Sequence, residues 1–192
     1  IGTMDHEIGT HFLRKYNERF QLWSGKRKRY DLKPFTETDE GMASIHSHVF
    51  LAQHTDRKPY LWHASLLYYA AVRASELSFV DLFKELLPYI KDERSCWKRC
   101  VRLKRGTTDT SQPGGLYKDQ VYLKGAYKIL SRRKDIDFHT LYSGKISLED
   151  YDREELRKRA KLENLKFPAF MADMAKYHRA LDLIARTNGI PQ

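Results

Sequence analysis

The 192-residue chain has little cysteine and no long apolar run. Its two cysteines, Cys96 and Cys100, are too few for a disulfide framework and do not by themselves make a zinc site. No stretch approaches the roughly 18 apolar residues of a membrane helix, and no signal-peptide pattern opens the chain. These absences argue against a disulfide-stapled secreted scaffold and an integral membrane protein. We therefore predict a soluble, cytoplasmic protein in which both cysteines pack in the core.

Acidic residues are also scarce relative to basic ones. The chain has 35 Lys and Arg against 25 Asp and Glu, a formal net charge of +10. The basic residues cluster at Lys26 to Arg29, Lys98 to Arg105, Arg132 to Lys134 and Arg157 to Lys161. Such clusters speed encounters with polyanions by long-range attraction, so the charge favours either nucleic acid or an acidic protein tail as partner. Acidic residues at Glu154, Glu155 and Glu163 flank the last cluster, and we interpret it as a solvated helix face.

One short segment near the start carries a pattern typical of catalysis. His6-Glu7-Ile8-Gly9-Thr10-His11 resembles the His-Glu-x-x-His helix of metallopeptidases with one extra residue. At about 100° per residue, an undistorted helix would place His6 and His11 roughly 140° apart, too far round the helix to chelate well. A π-type bulge absorbs one residue into a wider turn, and Gly9 lowers the cost of that distortion. We predict a bulged turn with both imidazoles on one face.

The residue types in this segment suit a catalytic zinc site. Neutral imidazoles and one carboxylate make a three-ligand site that keeps a fourth position open. Zinc lowers the pKa of water at that position towards about 7, and a carboxylate that is not a ligand must then take the proton. Glu7, next to His6, is the natural general base. The alternative is two unrelated histidines on an amphipathic helix, and a third ligand would discriminate between the two.

The search for a third ligand leads to a predicted helix start. Its acids are Glu37, Asp39 and Glu40, and the helix macrodipole favours acids in a first turn whether or not a metal is bound. Among them the metal interpretation prefers Glu40. The reason is that small Gly41 and Ala43 would let this helix approach the first one closely.

With these segments in view, the chain resembles a known family. His-Glu-Ile-Gly-Thr-His at 6–11 and Thr-Asp-Glu-Gly-Met-Ala at 38–43 resemble the microtubule-associated tyrosine carboxypeptidases, also called tubulin metallocarboxypeptidases. A third matching segment is Gly-Gly-Leu-Tyr-Lys-Asp-Gln-Val-Tyr-Leu-Lys-Gly at 114–125. Met42 stands where that family usually has leucine. The resemblance implies that zinc is bound by His6, His11 and Glu40 and that Glu7 is the catalytic acid/base.

The resemblance also implies an activity and a partner. It predicts a zinc metallocarboxypeptidase that removes the C-terminal tyrosine from the acidic tail of α-tubulin and associates with microtubules. We predict that residues 1–192 form a single domain, the C-terminal portion of a larger catalytic domain. The ligand set and the charge independently suggest hydrolysis and an acidic substrate, whereas tyrosine comes from the resemblance alone. Three further histidines, His46, His48 and His54, are interpreted as core or supporting groups because Glu40 completes the ligand set.

The third segment offers candidate substrate contacts. Gly114 and Gly115 allow close approach of the backbone. Tyr122 is a candidate hydrogen-bond donor to a tetrahedral oxyanion, a role whose loss typically costs about 3 kcal/mol of barrier. Arg105 or Lys118 is a candidate for holding a substrate carboxylate. The alternatives are a packed helix residue for Tyr122 and a solvated side chain for Lys118.

The fold class predicted is mainly α, a multi-helix zinc metallopeptidase-like domain with the bulged His-Glu-x-x-x-His helix. Apolar periodicity and caps predict helices at about 3–20, 38–53, 59–73, 79–90, 92–105, 118–132, 135–143, 147–163 and 168–187. Four helix starts are predicted from Pro59, the Ser78 cap, Asp92 and Pro168. A start resembling a capping box is predicted from Ser147 with Asp150, and Gly189 is predicted to stop the last helix. Residues 25–35 are predicted to be a loop or short hairpin.

A second function of a different class stays open. It is a non-enzymatic, zinc-stabilised module that binds microtubules or another polyanion. Peptide hydrolysis would separate it from a carboxypeptidase, since both bind zinc. We rank nucleic acid below tubulin, because most of the twelve tyrosines sit at helical core spacing rather than forming stacking platforms.

Overall fold

The computed structural model describes residues 2–191, and these are helices, turns and loops without a strand. The mainly α prediction is confirmed. The α-helices are α1 Gly2–His6, α2 Leu13–Glu18, α3 Thr36–His54, α4 Trp62–Ala74, α5 Phe79–Ile90, α6 Glu93–Leu103, α7 Val121–Ser131, α8 Phe138–Leu141, α9 Leu148–Tyr151, α10 Glu154–Arg159 and α11 Met174–Thr187. A π-helical turn, Glu7–Phe12, joins α1 to α2, so residues 2–18 form one continuous helical segment. None of the described helices is both long and apolar enough to cross a bilayer.

The alternative of a hairpin near residues 25–35 is wrong. Arg27–Tyr30 is a short 3₁₀ helix, and Asp31 ends it in the left-handed region at φ 47°. The Arg27 guanidinium donates hydrogen bonds to the Lys145 carbonyl at 2.6 Å and the Lys33 carbonyl at 2.8 Å. Local turns and one arginine therefore hold this segment, with no ladder between strands.

The chain divides into two compact units. The first contains residues 2–61 and 124–191, and the second contains Trp62–Leu123. The prediction of a single domain over residues 1–192 stays a prediction.

The first unit is built around α3. Its buried residues Met42, Ile45 and Val49 form the apolar side of that helix, which packs against α1 and α11. The sequence suggested that Gly41 faces the first helix, but it does not. It lies against α7, where a Cβ built on Gly125 would be only 2.9 Å from the Gly41 Cα. The two glycines therefore allow the α3 and α7 backbones to touch.

The second unit has its own small core between α4, α5 and α6. Cys96 and Cys100 are both free and fully buried in it, as predicted. The side chains packed around them are Leu66, Ala70, Ala71, Ala74, Leu82, Leu86 and Leu103. The Lys104 ammonium stabilises the loop beyond α6 by donating to the carbonyls of Ala74, at 3.1 Å, and Gln112, at 3.0 Å. Gly115 packs against the Leu103 carbonyl, where a Cβ would be 2.6 Å away.

Several helix ends agree with the sequence. Ser78 caps α5 and Asp92 caps α6, each accepting a backbone N–H three residues on. Ser147 and Asp150 form the predicted capping box of α9. Gly189 follows α11 at φ 65°, in the left-handed conformation expected after a helix.

Other boundaries differ. Pro59 does not open α4, which begins at Trp62. Pro168 precedes a 3₁₀ turn, Ala169–Met171, and α11 begins only after the cap Asp173. The helix predicted over 147–163 is two short helices, α9 and α10, and the one predicted over 135–143 is only Phe138–Leu141.

Candidate metal centre

The first helical segment widens where the sequence predicts it. Glu7–Phe12 is a π-helical turn, with His6 just before it and His11 inside it. The extra residue is thereby absorbed, and the two imidazole centroids lie 4.9 Å apart with their planes at 77°. Both rings consequently point to one side of the helix, as a shared metal requires.

Buried side chains support the widened turn through a chain of hydrogen bonds. The Thr10 hydroxyl donates to the Asp5 carbonyl at 2.8 Å and lies 2.7 Å from His46 Nδ1. His46 Nε2 is in turn 2.8 Å from the Tyr177 hydroxyl. The hydroxyl proton of Thr10 is already engaged, so His46 donates from Nδ1 and accepts from Tyr177 at Nε2. Burial together with the Arg14 charge lowers the pKa of His46 to about 3, which keeps it neutral in this chain.

Gly9 has a packing role in the same turn. It is buried, and a Cβ at this position would come within 3.2 Å of the Phe170 ring. Its φ is not in the left-handed region. Close contact with a ring, in addition to freedom to distort, therefore favours glycine here.

Glu40 completes a three-residue cluster with the two histidines. Its Oε2 lies 3.7 Å from His6 Nε2 and 3.4 Å from His11 Nε2, and all three atoms lie within 4.8 Å of one another. Ligands about 2.1 Å from a tetrahedral zinc are separated by about 3.4 Å. Within the described part of the chain, no other three His, Cys, Asp or Glu side chains come this close together.

The other nitrogen of each imidazole has a fixed partner. The Ser47 hydroxyl donates to the Ala43 carbonyl at 2.9 Å, so it can only accept from His6 Nδ1, which is 3.2 Å away. His11 Nδ1 lies 2.7 Å from the Asp39 carboxylate. The neutral tautomer of each ring therefore carries its proton on Nδ1 and presents the Nε2 lone pair to the centre of the cluster.

Asp39 is the anchor of this arrangement. It is only 4% exposed, and the Arg14 guanidinium and the Lys145 ammonium both form ion pairs with it. Burial raises the pKa of the Asp39 carboxyl, but the Arg14 charge and the His11 hydrogen bond outweigh burial and lower it well below the usual range. Arg14, itself buried, also donates to the Ile146 carbonyl at 2.9 Å. The carboxylate that orients His11 is thus fixed from three directions.

The charges around the cluster favour a cation at its centre. Burial lowers the pKa of His11, but the hydrogen bonds to Asp39 and Glu40 outweigh burial and raise it to about 9. Burial raises the pKa of Glu40, but the hydrogen bonds from His11 and His6 lower it to about 2. With no metal, the raised pKa of His11 keeps a proton on this imidazole at neutral pH, which supplies positive charge beside the two carboxylates.

Glu7, the predicted acid/base, lies on the exposed side of the π-helical turn. Within residues 2–191 its carboxylate has no hydrogen bond or ion pair, so it is not tied to another group. The ligand side chains are about one-fifth exposed, so solvent reaches the cluster as well. An accessible carboxylate next in sequence to a ligand suits proton transfer better than metal binding.

The three other histidines of α3 are not part of the cluster. His46 is fully buried, as the core interpretation predicted. His48 Nδ1 lies 2.9 Å from the Ser44 carbonyl, and His54 Nε2 lies 3.0 Å from the Lys176 ammonium.

The candidate substrate contacts belong to the second unit. Arg105 follows α6 and is exposed, and Lys118 is exposed in the 3₁₀ turn Tyr117–Gln120. Tyr122 is half-buried in the first turn of α7. Their roles towards substrate stay predictions.

The comparisons with known proteins point to one family. The profile described as microtubule-associated tyrosine carboxypeptidase matches residues 3–188. Microtubule-associated tyrosine carboxypeptidase 1 of Homo sapiens is 47% identical over 194 residues, and that of Mus musculus is 46% identical over 194 residues. Each alignment covers 100% of this chain and 40% of the relative. MATCAP2 of Homo sapiens is 47% identical over 190 residues, which is 97% of this chain and 35% of that protein. The chain thus spans under half the length of these relatives.

Proposed function

Because the chain belongs to the microtubule-associated tyrosine carboxypeptidase family, we propose that it carries the catalytic centre of a zinc carboxypeptidase. The proposed reaction removes the C-terminal tyrosine from the acidic tail of α-tubulin. The observation that carries the proposal is the convergence of His6, His11 and Glu40, with each imidazole oriented through its Nδ1.

The donor set fits zinc. Two imidazole nitrogens and one carboxylate oxygen are the ligands of hydrolytic zinc sites, which leave a fourth position open. His6 and His11 would each bind through Nε2 and Glu40 through a carboxylate oxygen. When bound, zinc supplies Lewis acidity towards a peptide carbonyl and towards water.

The remaining chemistry falls to side chains around the ligands. Glu7 is accessible and unpaired, so it takes the proton of the attacking water and returns it to the leaving amine. Asp39 and Ser47 hold the rings of His11 and His6 at the angle that binding requires. Arg14 and Lys145 keep Asp39 ionised and in place.

The substrate is inferred from charge and from the relatives. A formal charge of +10 favours an acidic polypeptide, and the relatives are named for tyrosine and for microtubules. Association with microtubules, and hence with the cytoskeleton, belongs to the same proposal. A carboxypeptidase also needs a cation for the terminal carboxylate, and Arg105 and Lys118 remain our candidates, with Tyr122 for the oxyanion.

A pair of peptides tests the proposal sharply. The first is an acidic peptide that ends in a free tyrosine, and the second is the same peptide with its terminal carboxylate amidated. We expect free tyrosine to be released from the first only, and we expect a zinc chelator to stop the release. Microtubule-associated tyrosine carboxypeptidase 1 of Homo sapiens is assayed on the same two peptides for comparison. Zinc content, measured on the same preparation of this chain, should be near one per chain.

The outcomes separate the two functions. Release of tyrosinamide from the amidated peptide would contradict an exopeptidase that reads the free carboxylate. One zinc per chain with no release from either peptide would favour the non-enzymatic, zinc-stabilised module. No bound zinc would contradict both.

A further inference from the structure

Helix α6 in the second unit has an outer face that combines basic and apolar side chains. Arg94, Trp97, Lys98 and Val101 fall within about 100° of arc, and Arg105, just past the helix end, continues the same face. We call these five residues the outer face of α6. The opposite side of the helix carries Cys96, Cys100 and Leu103 into the core, so the outer face does not belong to the core of the second unit.

The cations of this face form no ion pair with a carboxylate among the described residues. The side chains of Arg94, Lys98 and Arg105 are exposed, and none of them forms a hydrogen bond or ion pair with a residue in the range 2–191. By contrast, Arg102 on the flank of the helix is paired with Asp119 through two bonds of 2.8 Å. The helix thus satisfies one arginine internally and leaves a row of cations unpaired.

The apolar residues of the face are unusually open for their type. Trp97 is 56% exposed and Val101 is 48% exposed. The Trp97 ring is nevertheless held in place, because it meets the Phe79 ring edge-on at 4.7 Å and the Phe83 ring at 6.5 Å between centroids. A rigid, half-exposed tryptophan surrounded by polar groups is typical of the anchor of a protein interface.

We propose that the outer face of α6 docks this chain on an acidic protein surface. Trp97 and Val101 would be buried on docking, and Arg94, Lys98 and Arg105 would pair with carboxylates around them. The complementarity between unpaired cations and acidic groups is the reason for an acidic partner. This proposal rests on the proposed function for its choice of probe, the microtubule, and adds a docking surface to the metal centre.

A protein is favoured over nucleic acid by the composition of the face. Proteins that bind single strands stack successive bases on several aromatic rings. The outer face of α6 has one such ring, and Val101 beside it offers nothing to a base. One aromatic and one aliphatic residue surrounded by cations fit a protein patch of acidic and apolar side chains better than they fit nucleic acid.

Co-sedimentation with microtubules tests the charge part of the proposal. The variant Arg94→Glu/Lys98→Glu is compared with Lys26→Glu/Lys28→Glu, in which two other exposed, unpaired cations are reversed. Both changes lower the formal charge by the same amount. We expect the α6 variant to lose affinity by about tenfold or more and the matched variant to lose much less.

Substitution of Trp97 tests the apolar part. We expect Trp97→Ala to weaken binding by about tenfold and Trp97→Phe to restore much of it. Thermal unfolding of each variant shows whether the fold has survived the loss of contact with Phe79. The side chains of Arg94 and Lys98 form no hydrogen bond or ion pair within residues 2–191, so their reversal tests the surface even if Trp97→Ala unfolds the chain.

Three results would overturn the proposal. The first is absence of binding by the unsubstituted chain, and the second is an equal loss in both charge-reversed variants, which would indicate general attraction only. The third is that the α6 variant loses binding to a single-stranded oligonucleotide while its binding to microtubules is unchanged. Sedimentation measures binding and not hydrolysis. A chain that docks through α6 but releases no tyrosine would therefore refute the proposed function and leave the docking proposal standing.

Discussion

Each histidine of the cluster leaves Nε2 for the proposed metal because a neighbour occupies Nδ1. Ser47 engages His6 through a neutral hydroxyl, and Asp39 engages His11 through a buried carboxylate. A carboxylate makes an imidazole a stronger electron donor than a hydroxyl does. His11 is therefore expected to bind zinc more strongly than His6, and residues outside the ligand set decide this difference.

The role of Glu7 can be tested by replacing it with glutamine. Glu7→Gln keeps the size of the side chain but removes the basic oxygen, while the three ligands stay intact. General acid–base groups contribute roughly 10²–10⁴-fold, so we expect tyrosine release to fall by at least about two decades with zinc content unchanged. Elemental analysis and hydrolysis are measured on one preparation. His11→Ala is the control and should lose the metal itself.

Two results would contradict this assignment. Near-normal turnover in Glu7→Gln would mean that another group moves the proton. Loss of zinc from Glu7→Gln would mean that Glu7 binds the metal, and Glu40 would then lose its place in the ligand set.

Ser47 and Asp39 should affect zinc affinity alike but stability differently. We expect Ser47→Ala and Asp39→Asn each to weaken zinc binding by about 10–100-fold, because a ring loses its orienting partner. In the metal-free state Ser47→Ala should unfold almost as the parent does. Asp39→Asn should lose about 3 kcal/mol or more, because Arg14 and Lys145 are left buried without their carboxylate. Chelator competition and urea unfolding measure the two effects.

The three-residue cluster could be predicted from the sequence, and its supporting groups could not. His6, His11 and Glu40 follow from a local motif, short spacings and the family resemblance. Asp39 stands beside Glu40 and looked like an ordinary acid in the first turn of a helix. Its partners Arg14 and Lys145 are 25 and 106 residues away in sequence. Contacts at such separations leave no periodic signal in a single sequence.

At the scale of elements, the π-helical turn connects the sequence motif to the site. It was predictable because two proposed ligands spaced i, i+5, with four residues between them, cannot share one face of a regular helix. The hydrogen bonds of Thr10, His46 and Tyr177 that support the turn were not predictable, since those residues come together only when α3 and α11 pack. His46 was correctly predicted as a core residue, although its partners were not foreseen.

Thr10→Val tests the support of the turn. Valine has nearly the same shape, but it leaves the Asp5 carbonyl and the His46 Nδ1–H without this partner in a buried place. An unsatisfied buried polar group costs about 1–3 kcal/mol, and we expect the free energy of unfolding to fall by about that amount. Thr3→Val, at an exposed position of α1, is the matched control and should change it by less than about 0.5 kcal/mol. Equal effects of the two in urea unfolding would contradict the role of Thr10.

Gly41→Ala tests the contact between α3 and α7 by the sign of its effect. Helix propensity alone predicts that alanine stabilises a helix by about 1 kcal/mol relative to glycine. The structure predicts the opposite, because the new Cβ would lie 2.5 Å from the Ala126 nitrogen and from the Gly125 Cα. Backbone atoms of a packed helix cannot move aside cheaply, so we expect a loss of about 1–3 kcal/mol. A rise in the midpoint of urea unfolding would show that the two helices separate easily.

The helix boundaries show where local rules succeed and where packing decides. Ser78, Asp92 and the Ser147 capping box were predictable because the cap and the N–H groups it accepts are a few residues apart. Pro168 was misplaced because proline suits both the first turn of a helix and the residue before a 3₁₀ turn. The choice between them is made by the Asp173 cap, which starts α11 five residues later.

At the scale of the molecule, the positive charge is distributed over both units. Some of it is neutralised internally, as where Arg133 is paired with Asp182 and Arg132 with Asp152. The side chains of Lys26, Lys28 and Arg29 are exposed, and none of them forms a hydrogen bond or ion pair within residues 2–191. The sequence showed the excess and its clusters, but only the structure separates paired cations from unpaired ones. The unpaired ones produce the long-range field that an acidic partner meets first.

That field leads to a prediction about salt. We expect the affinity for an acidic, tyrosine-ended peptide to fall by at least about tenfold between 0.1 M and 1 M sodium chloride. The reason is that exposed charges are screened beyond about 10 Å at the lower concentration and beyond about 3 Å at the higher one. A peptide of equal length with glutamine in place of each glutamate is the control, and its affinity should change little. Zinc content is measured at both concentrations, so that loss of metal is not mistaken for screening. If the acidic peptide bound equally well in both, the basic clusters would not attract the substrate, and recognition would depend on short-range contacts alone.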